Sequence, residues 1–210
     1  MPLRVLVADD HAMVRAGFRA LLTAAGFEVS GEAVNGQEAV RLARELKPDI
    51  ALLDVSMPVM NGLDAGREIQ REHKDTHVVL LTMHAEDHLM AAALRAGIRA
   101  YVLKSQATED LLLAMRAVAR RQLYLSPSIS KFAVDAYVSG EAAPADRLAP
   151  RERQVLQLVA EGKTSKEIGA ILGVSTKTAE SYRARLMTKL DIHDTAGLVR
   201  YAIRKGIVQV

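Results

Sequence analysis

Residues 51–62 read ALLDVSMPVMNG. Ile50 and the three residues after it form an apolar run, and that run delivers a carboxylate, Asp54, into a Ser-Met-Pro loop. Aspartate is depleted inside strands, and a buried carboxylate is costly unless it is paired, hydrogen-bonded or metal-bound. Asp54 therefore belongs at the tip of a strand, on a rim where something compensates its charge.

Outward from this stretch, short apolar runs recur at Leu3–Ala8, Glu28–Ala33, Asp49–Leu53, His77–Leu81 and Ala100–Leu103. Helical periodicity fills 12–25, 36–46, 63–72, 86–96 and 108–120, with Gly26, Gly62 and Gly97 at the junctions. Strands apolar on both faces that alternate with helices predict an α/β fold, a doubly wound five-stranded parallel sheet. Ligands of such sheets bind beyond the carboxyl ends of the strands. The first strand ends there in Asp9-Asp10, the third in Asp54, the fourth in Thr82 and the fifth in Lys104.

Three carboxylates brought together raise one another's pKa, and a hard divalent cation relieves that conflict. Magnesium prefers a few carboxylates, waters and a phosphate oxygen to an all-protein cage. The expected ligands are Asp10 and Asp54 directly, a backbone carbonyl near Ser56, and Asp9 through water. Asp54 is then placed as a nucleophile toward a phosphoryl group. Lys104 supplies a second positive charge for the phosphoryl oxygens, and Thr82 donates a hydrogen bond to them. His11 reads as a helix-start residue, and His84 flanks the rim as a candidate modulator of phosphate lifetime.

The 210 residues contain no cysteine, which excludes disulfides, thiolate metal sites and cysteine nucleophiles. No apolar run approaches the ~20 residues that span a bilayer, and the start, MPLRVLVADD, is unlike a signal peptide. A cytoplasmic protein is the expectation. Charge is unevenly spread. Residues 1–121 carry a net −1, 122–146 a net −2 and 147–210 a net +6, which points to a nucleic-acid-facing tail.

These three segments are the expected domains: 1–121, a linker over 122–146, and 147–210. Within the linker, Ser126 with Pro127 opens a short helix to about Val138, and GEAAPAD is flexible and acidic. After Pro150 the pattern is all helical. A helix over 150–161 buries Leu156 and Val159. A second, over 164–172, starts with a Thr164/Glu167 capping box. Gly173-Val174 turns the chain, Ser175 caps a third helix, and Asp194 caps a fourth, to about Lys205. Two short helices across such a turn form a helix-turn-helix, whose next helix enters the major groove. Lys177, Ser181, Ala184 and Thr188 fall on one stripe of it, flanked by Glu180. Glu accepts from a cytosine amino group and Ala meets a thymine methyl. Arg183, Arg185, Lys189, Thr178 and Lys166 suit backbone phosphates.

The segments VLVADDH, LLDVSMPVMNG, LLTMH and AYVLKS, in this order and spacing, resemble the receiver domain of two-component response regulators over about residues 1–121. The resemblance implies Asp54 as phosphoacceptor, Asp9 and Asp10 as magnesium-binding acids, Lys104 as the phosphate-pairing lysine, and Thr82 with Tyr101 as a switch pair. Ser105 stands where many receivers have the proline of a cis peptide. The tail, with LAPRE at its entry, KEIGAILGVS through the turn and KL at the end of the third helix, resembles the LuxR-type helix-turn-helix over about residues 147–206. Ala179 and Tyr182 stand there in place of the common Val and His. The chain as a unit is similar to a NarL/FixJ-class response regulator.

That resemblance implies a sensor histidine kinase as phosphodonor, Tyr101 turning inward on phosphorylation, and dimerisation on an inverted repeat of double-stranded DNA. The exposed side of helix 194–205 is a candidate dimer contact, with Leu198, Val199, Ala202 and Ile203 closing the domain core instead. No turnover of external substrates is expected, only self-phosphorylation and slow self-dephosphorylation. One alternative is a receiver-like regulator that works without phosphorylation. Another is a magnesium-dependent phosphohydrolase of the haloacid-dehalogenase type, which would need an acid at position 56, where this chain has Ser56.

Overall fold

The computed structural model describes residues 2–83, 87–105, 108–126 and 148–208. His84, the short helix expected after Ser126 and the linker expected up to residue 146 lie outside them. The described residues form two compact units, one built from the elements up to Leu125 and one from those after Leu148.

In the first unit, strands β1 (Arg4–Ala8), β2 (Glu28–Ala33), β3 (Ile50–Asp54), β4 (His77–Thr82) and β5 (Ala100–Leu103) alternate with helices α1 (Ala12–Ala24), α2 (Gly36–Leu46), α3 (Gly62–Glu72), α4 (Asp87–Arg95) and α5 (Thr108–Ala119). Every strand pair is parallel, in the order β2-β1-β3-β4-β5-β6. The sixth strand, β6 (Tyr124–Leu125), corrects the expected count of five. It pairs with β5, Ala100 opposite Tyr124 and Tyr101 opposite Leu125. Two residues are too few for a two-residue period to register in sequence, so this strand read as the start of the linker.

Both faces of the sheet are covered, which is why its strands are apolar throughout. Val5, Val7, Leu52, Val79, Leu81 and Val102 pack on one face with Leu22 of α1 and with Leu111, Met115 and Val118 of α5. On the other, Gly66 of α3 lies so close to the sheet that an added Cβ would stand 3.1 Å from a Val78 methyl. Asparagine caps open two of the covering helices: Asn35 accepts from the Glu38 amide at 2.8 Å, and Asn61 from the Asp64 amide at 2.8 Å. β1 and β3 are neighbours with their crossovers leading in opposite directions, so a topological switch point lies between their carboxyl ends.

The second unit holds α6 (Pro150–Ala160), α7 (Ser165–Leu172), α8 (Thr176–Leu190) and α9 (Thr195–Arg204). Val155, Leu156, Val159, Ile168, Ala179, Leu186, Leu198 and Ala202 make its core. The expected caps are present. The Thr164 and Glu167 amides each donate to the other's side chain, Ser175 accepts from the Thr178 amide, and Asp194 from the Gly197 amide. Gly173 takes the left-handed conformation, φ 65°, that ends α7 and starts the turn. Of the residues expected to close this core from α9, Leu198 and Ala202 are buried, but Ile203 is 39% exposed.

Candidate functional site

The rim residues converge as the topology demands. Asp9 and Asp54 are almost fully buried at 1% and 3% exposure. The Lys104 ammonium joins them, 2.7 Å from Asp9 Oδ2 and 3.0 Å from Asp54 Oδ2. Residues far apart in sequence meet because β1, β3, β4 and β5 end side by side. Lys104 is further fixed by its own amide, which donates to the Thr82 carbonyl at 2.7 Å. Thr82 itself is wholly buried at the end of β4.

The remaining oxygens have partners too. Asp9 Oδ1 accepts from the His11 amide at 2.9 Å, and the Ser56 amide donates to the Asp54 carboxylate. Asp10 is the more open acid, with His11 Nδ1 2.8 Å from its Oδ1. His11 is the N-cap residue of α1, as its position suggested.

Burial pushes the Asp54 carboxyl above the ordinary aspartate range, with the Lys104 charge and the hydrogen bonds from Lys104 and the Ser56 amide opposing it. Burial acts downward on Lys104, yet its hydrogen bond to Asp9, followed by the charge and hydrogen bond of Asp54, leave it raised. The pair is not symmetric because Lys104 lies nearer to Asp9. Asp54 shares an ammonium and remains undercompensated.

On α8, the expected stripe of Lys177, Ser181, Ala184 and Thr188 is exposed, as are the flanking Glu180 and the phosphate candidate Arg185. Ala179 and Leu186 are fully buried behind it. Thr178 is tied into the cap, its hydroxyl 2.8 Å from that of Ser175. Arg185 stacks 5.1 Å from the centre of the Tyr182 ring, and Arg183 donates to the Thr195 hydroxyl at 3.2 Å. Lys189 turns away from the stripe, to a 2.6 Å ion pair with Glu152 of α6.

The chain matches the family model for the response regulator receiver domain over residues 5–116, and that for bacterial regulatory proteins of the luxR family over residues 146–202. Response regulator UvrY of Escherichia coli K12 is 36% identical over 208 residues, covering 98% of this chain and 95% of the relative. The chain belongs to the response regulators. Transcriptional regulatory protein LiaR of Bacillus subtilis is 39% identical, covering 98% of this regulator and 99% of the relative. Among solved structures, RcsB from Salmonella enterica serovar Typhimurium, bound to promoter rprA in the presence of phosphomimetic BeF3−, aligns with TM-score 0.59 and 28% identity. That alignment covers 95% of this chain and 97% of RcsB. This protein is accordingly a transcriptional response regulator, a receiver joined to a LuxR-type DNA-binding unit.

The regulator's donor set suits a small hard cation. Asp9 and Asp10 offer carboxylate oxygens, and with His11 their donor atoms lie within 4.8 Å of one another. Asp54, an expected ligand, is not in this group; it meets Asp9 through the Lys104 ammonium they share. Tyr101, the other member of the expected switch pair, is buried at 2% exposure on β5. Burying so large a ring is favourable in itself. The Lys104–Ser105 peptide is trans, as are all the described peptide bonds.

Two residues of the site were not singled out by sequence as part of it. Arg15 donates to the Asp9 carbonyl at 2.7 Å. Gly62 presses against the Asp54 backbone, where an added Cβ would stand 2.0 Å from the Asp54 carbonyl oxygen. Gly62 carried a signal, since its Asn-Gly junction opens a helix. The signal at Arg15 is weaker: a basic residue near the positive end of a helix with no acidic residue in its first turn.

Proposed function

We propose that this regulator is switched by phosphorylation of Asp54 and answers by binding DNA through α8. The observation that carries the reading is Lys104 bridging two buried acids at one rim, 2.7 Å from Asp9 and 3.0 Å from Asp54. Asp54 attacks the phosphorus of a phosphodonor, its carboxylate oxygen forming the new O–P bond. With a histidine kinase as donor, the P–N bond breaks and the departing imidazole takes up a proton. Asp9, Asp10, Asp54 and the Ser56 carbonyl hold Mg2+. When bound, Mg2+ spreads the charge of the phosphoryl oxygens. Lys104 then turns from Asp9 to those oxygens, and Thr82 donates to them.

The product carries roughly −1.5 to −2 charges at neutral pH, by analogy with other phosphorylated side chains. That charge biases the Thr82–Tyr101 pair and the face around 84–104, a local electrostatic event with a distant readout. The domains are taken as 1–121, a linker over 122–146, and 147–210, working in the cytoplasm with no turnover of external phosphoesters. On DNA, Lys177, Glu180, Ser181 and Ala184 face bases, while Thr178, Arg183 and Arg185 face phosphates. Lys189 reaches a phosphate only by giving up Glu152. Two copies bind an inverted repeat as a homodimer, since twofold proteins match palindromic sites.

Mass spectrometry after treatment with acetyl phosphate and Mg2+ tests the first step. One phosphoryl group adds to the wild-type chain and none to Asp54→Asn. Equal addition to both refutes the assignment.

A further inference from the structure

We propose that Arg15 is the positioning residue of the cation site, holding the peptide between Asp9 and Asp10 so that both acids face one ion. The inference rests on the proposed reading of those acids and deepens it. Arg15 Nη1 donates to the Asp9 carbonyl at 2.7 Å, and its Nε lies 3.5 Å from Glu32 Oε2 on β2. The side chain is only 14% exposed, and Glu32 is held from the other side by Arg19 at 3.3 Å. The guanidinium thus reaches across from α1 to tie the β1–α1 loop to the neighbouring strand. A planar fork can donate to a carbonyl while its charge faces a carboxylate 3.5 Å away, which an ammonium cannot do with the same geometry.

The carbonyl it grips belongs to the peptide linking Asp9 to Asp10. Fixing that plane fixes where both side chains depart. Asp9 has two other tethers, the His11 amide and Lys104. Lys104 is the one that leaves when a phosphoryl group arrives, so Arg15 keeps the acid pair aligned at that moment. Its placement near the positive end of α1 runs against the helix dipole, which marks a cation kept for a specific contact.

Charge and position act in opposite directions here, which makes the roles separable. As a mere positive charge, Arg15 repels Mg2+, and Arg15→Gln would bind the ion more tightly while Arg15→Lys would not change. As a positioning residue, both substitutions loosen binding. The experiment uses the full chain, with Mg2+ titrated against the amide resonances of Asp10 and His11, alongside acetyl phosphate labelling at graded Mg2+. The expected result is an approximately tenfold weaker Mg2+ affinity in both variants, the lower end of what outer partners of metal ligands contribute. Half-maximal labelling shifts to higher Mg2+ by the same factor, and the rate recovers at saturating Mg2+. Glu32→Gln, which leaves Arg15 in place without its anchor, shifts affinity in the same direction by less, and serves if the Arg15 variants fold poorly. Unchanged or tighter binding in Arg15→Lys, or an effect on melting temperature alone, overturns the proposal. A wild-type chain that folds but shifts neither resonance with Mg2+ overturns the underlying reading of Asp9 and Asp10 as well.

Discussion

Gly62 stands where α3 begins, and a side chain there has nowhere to go. Its Cβ would meet the Asp54 carbonyl oxygen at 2.0 Å and the carbonyl carbon at 2.8 Å, both backbone atoms that cannot swing aside. Gly62→Ala therefore displaces the loop that presents Asp54. The expected cost is about 1–3 kcal/mol, read from the urea midpoint, together with slower labelling of Asp54. An unchanged midpoint would contradict the close approach.

Asp54 offers a second test. Its folded pKa is raised, so its contribution to stability is full below the unfolded pKa and lost as pH rises through the folded one. Asp54→Asn has no charge to bury, and Lys104 keeps Asp9. The variant should gain stability relative to wild type as pH rises from about 4, the unfolded pKa, measured by urea denaturation at each pH. A difference independent of pH would count against an undercompensated acid. The acids and Lys104 were readable because strand ends in a parallel sheet converge by necessity. Arg15 was not, because its contact depends on how one loop folds back over a helix. Nor did anything in the sequence mark Val59, a β-branched residue held at φ 69° in the loop after Asp54.

Helices were the most legible elements, because their ends are written in short-range chemistry. Thr164 with Glu167, Ser175 and Asp194 each cap the helix expected of them. Pairing between distant elements was less so. The β6 strand depends on Tyr124, whose amide donates to the Arg99 carbonyl at 2.8 Å and whose hydroxyl donates to Asp110 at 3.1 Å. Neither partner is close in sequence.

The tie between α6 and α8 is of the same kind. Lys189 and the Ala149 amide hold the Glu152 carboxyl below the usual glutamate range. A lowered acid stabilises above its unfolded pKa and ceases to as pH falls through the folded value. Lys189→Met should thus lower the melting temperature near neutral pH and lose that deficit in acid. Its DNA affinity should retain nearly the full salt slope, whereas Arg185→Met should reduce that slope by about 0.9, the share of one phosphate. A Lys189 variant of unaltered stability with a reduced slope would reverse the two assignments.

Across both units, the division of charge gave the division of labour. Net charges of −1 over residues 1–121 and +6 over 147–210 separate the receiver from the DNA-binding unit. Their order along the chain was evident from periodicity, which passes from alternating strands and helices to helices alone. How the signal crosses between them was not, since a linker of small and acidic residues carries little pattern.

The decisive measurement is the affinity of the full chain for its DNA at fixed salt, with and without acetyl phosphate, in wild type and Asp54→Asn. Phosphorylation at Asp54 as the trigger requires tighter binding by wild type upon treatment and no change in the variant. Equal affinities in treated and untreated wild type, or the same gain in the variant, would contradict it.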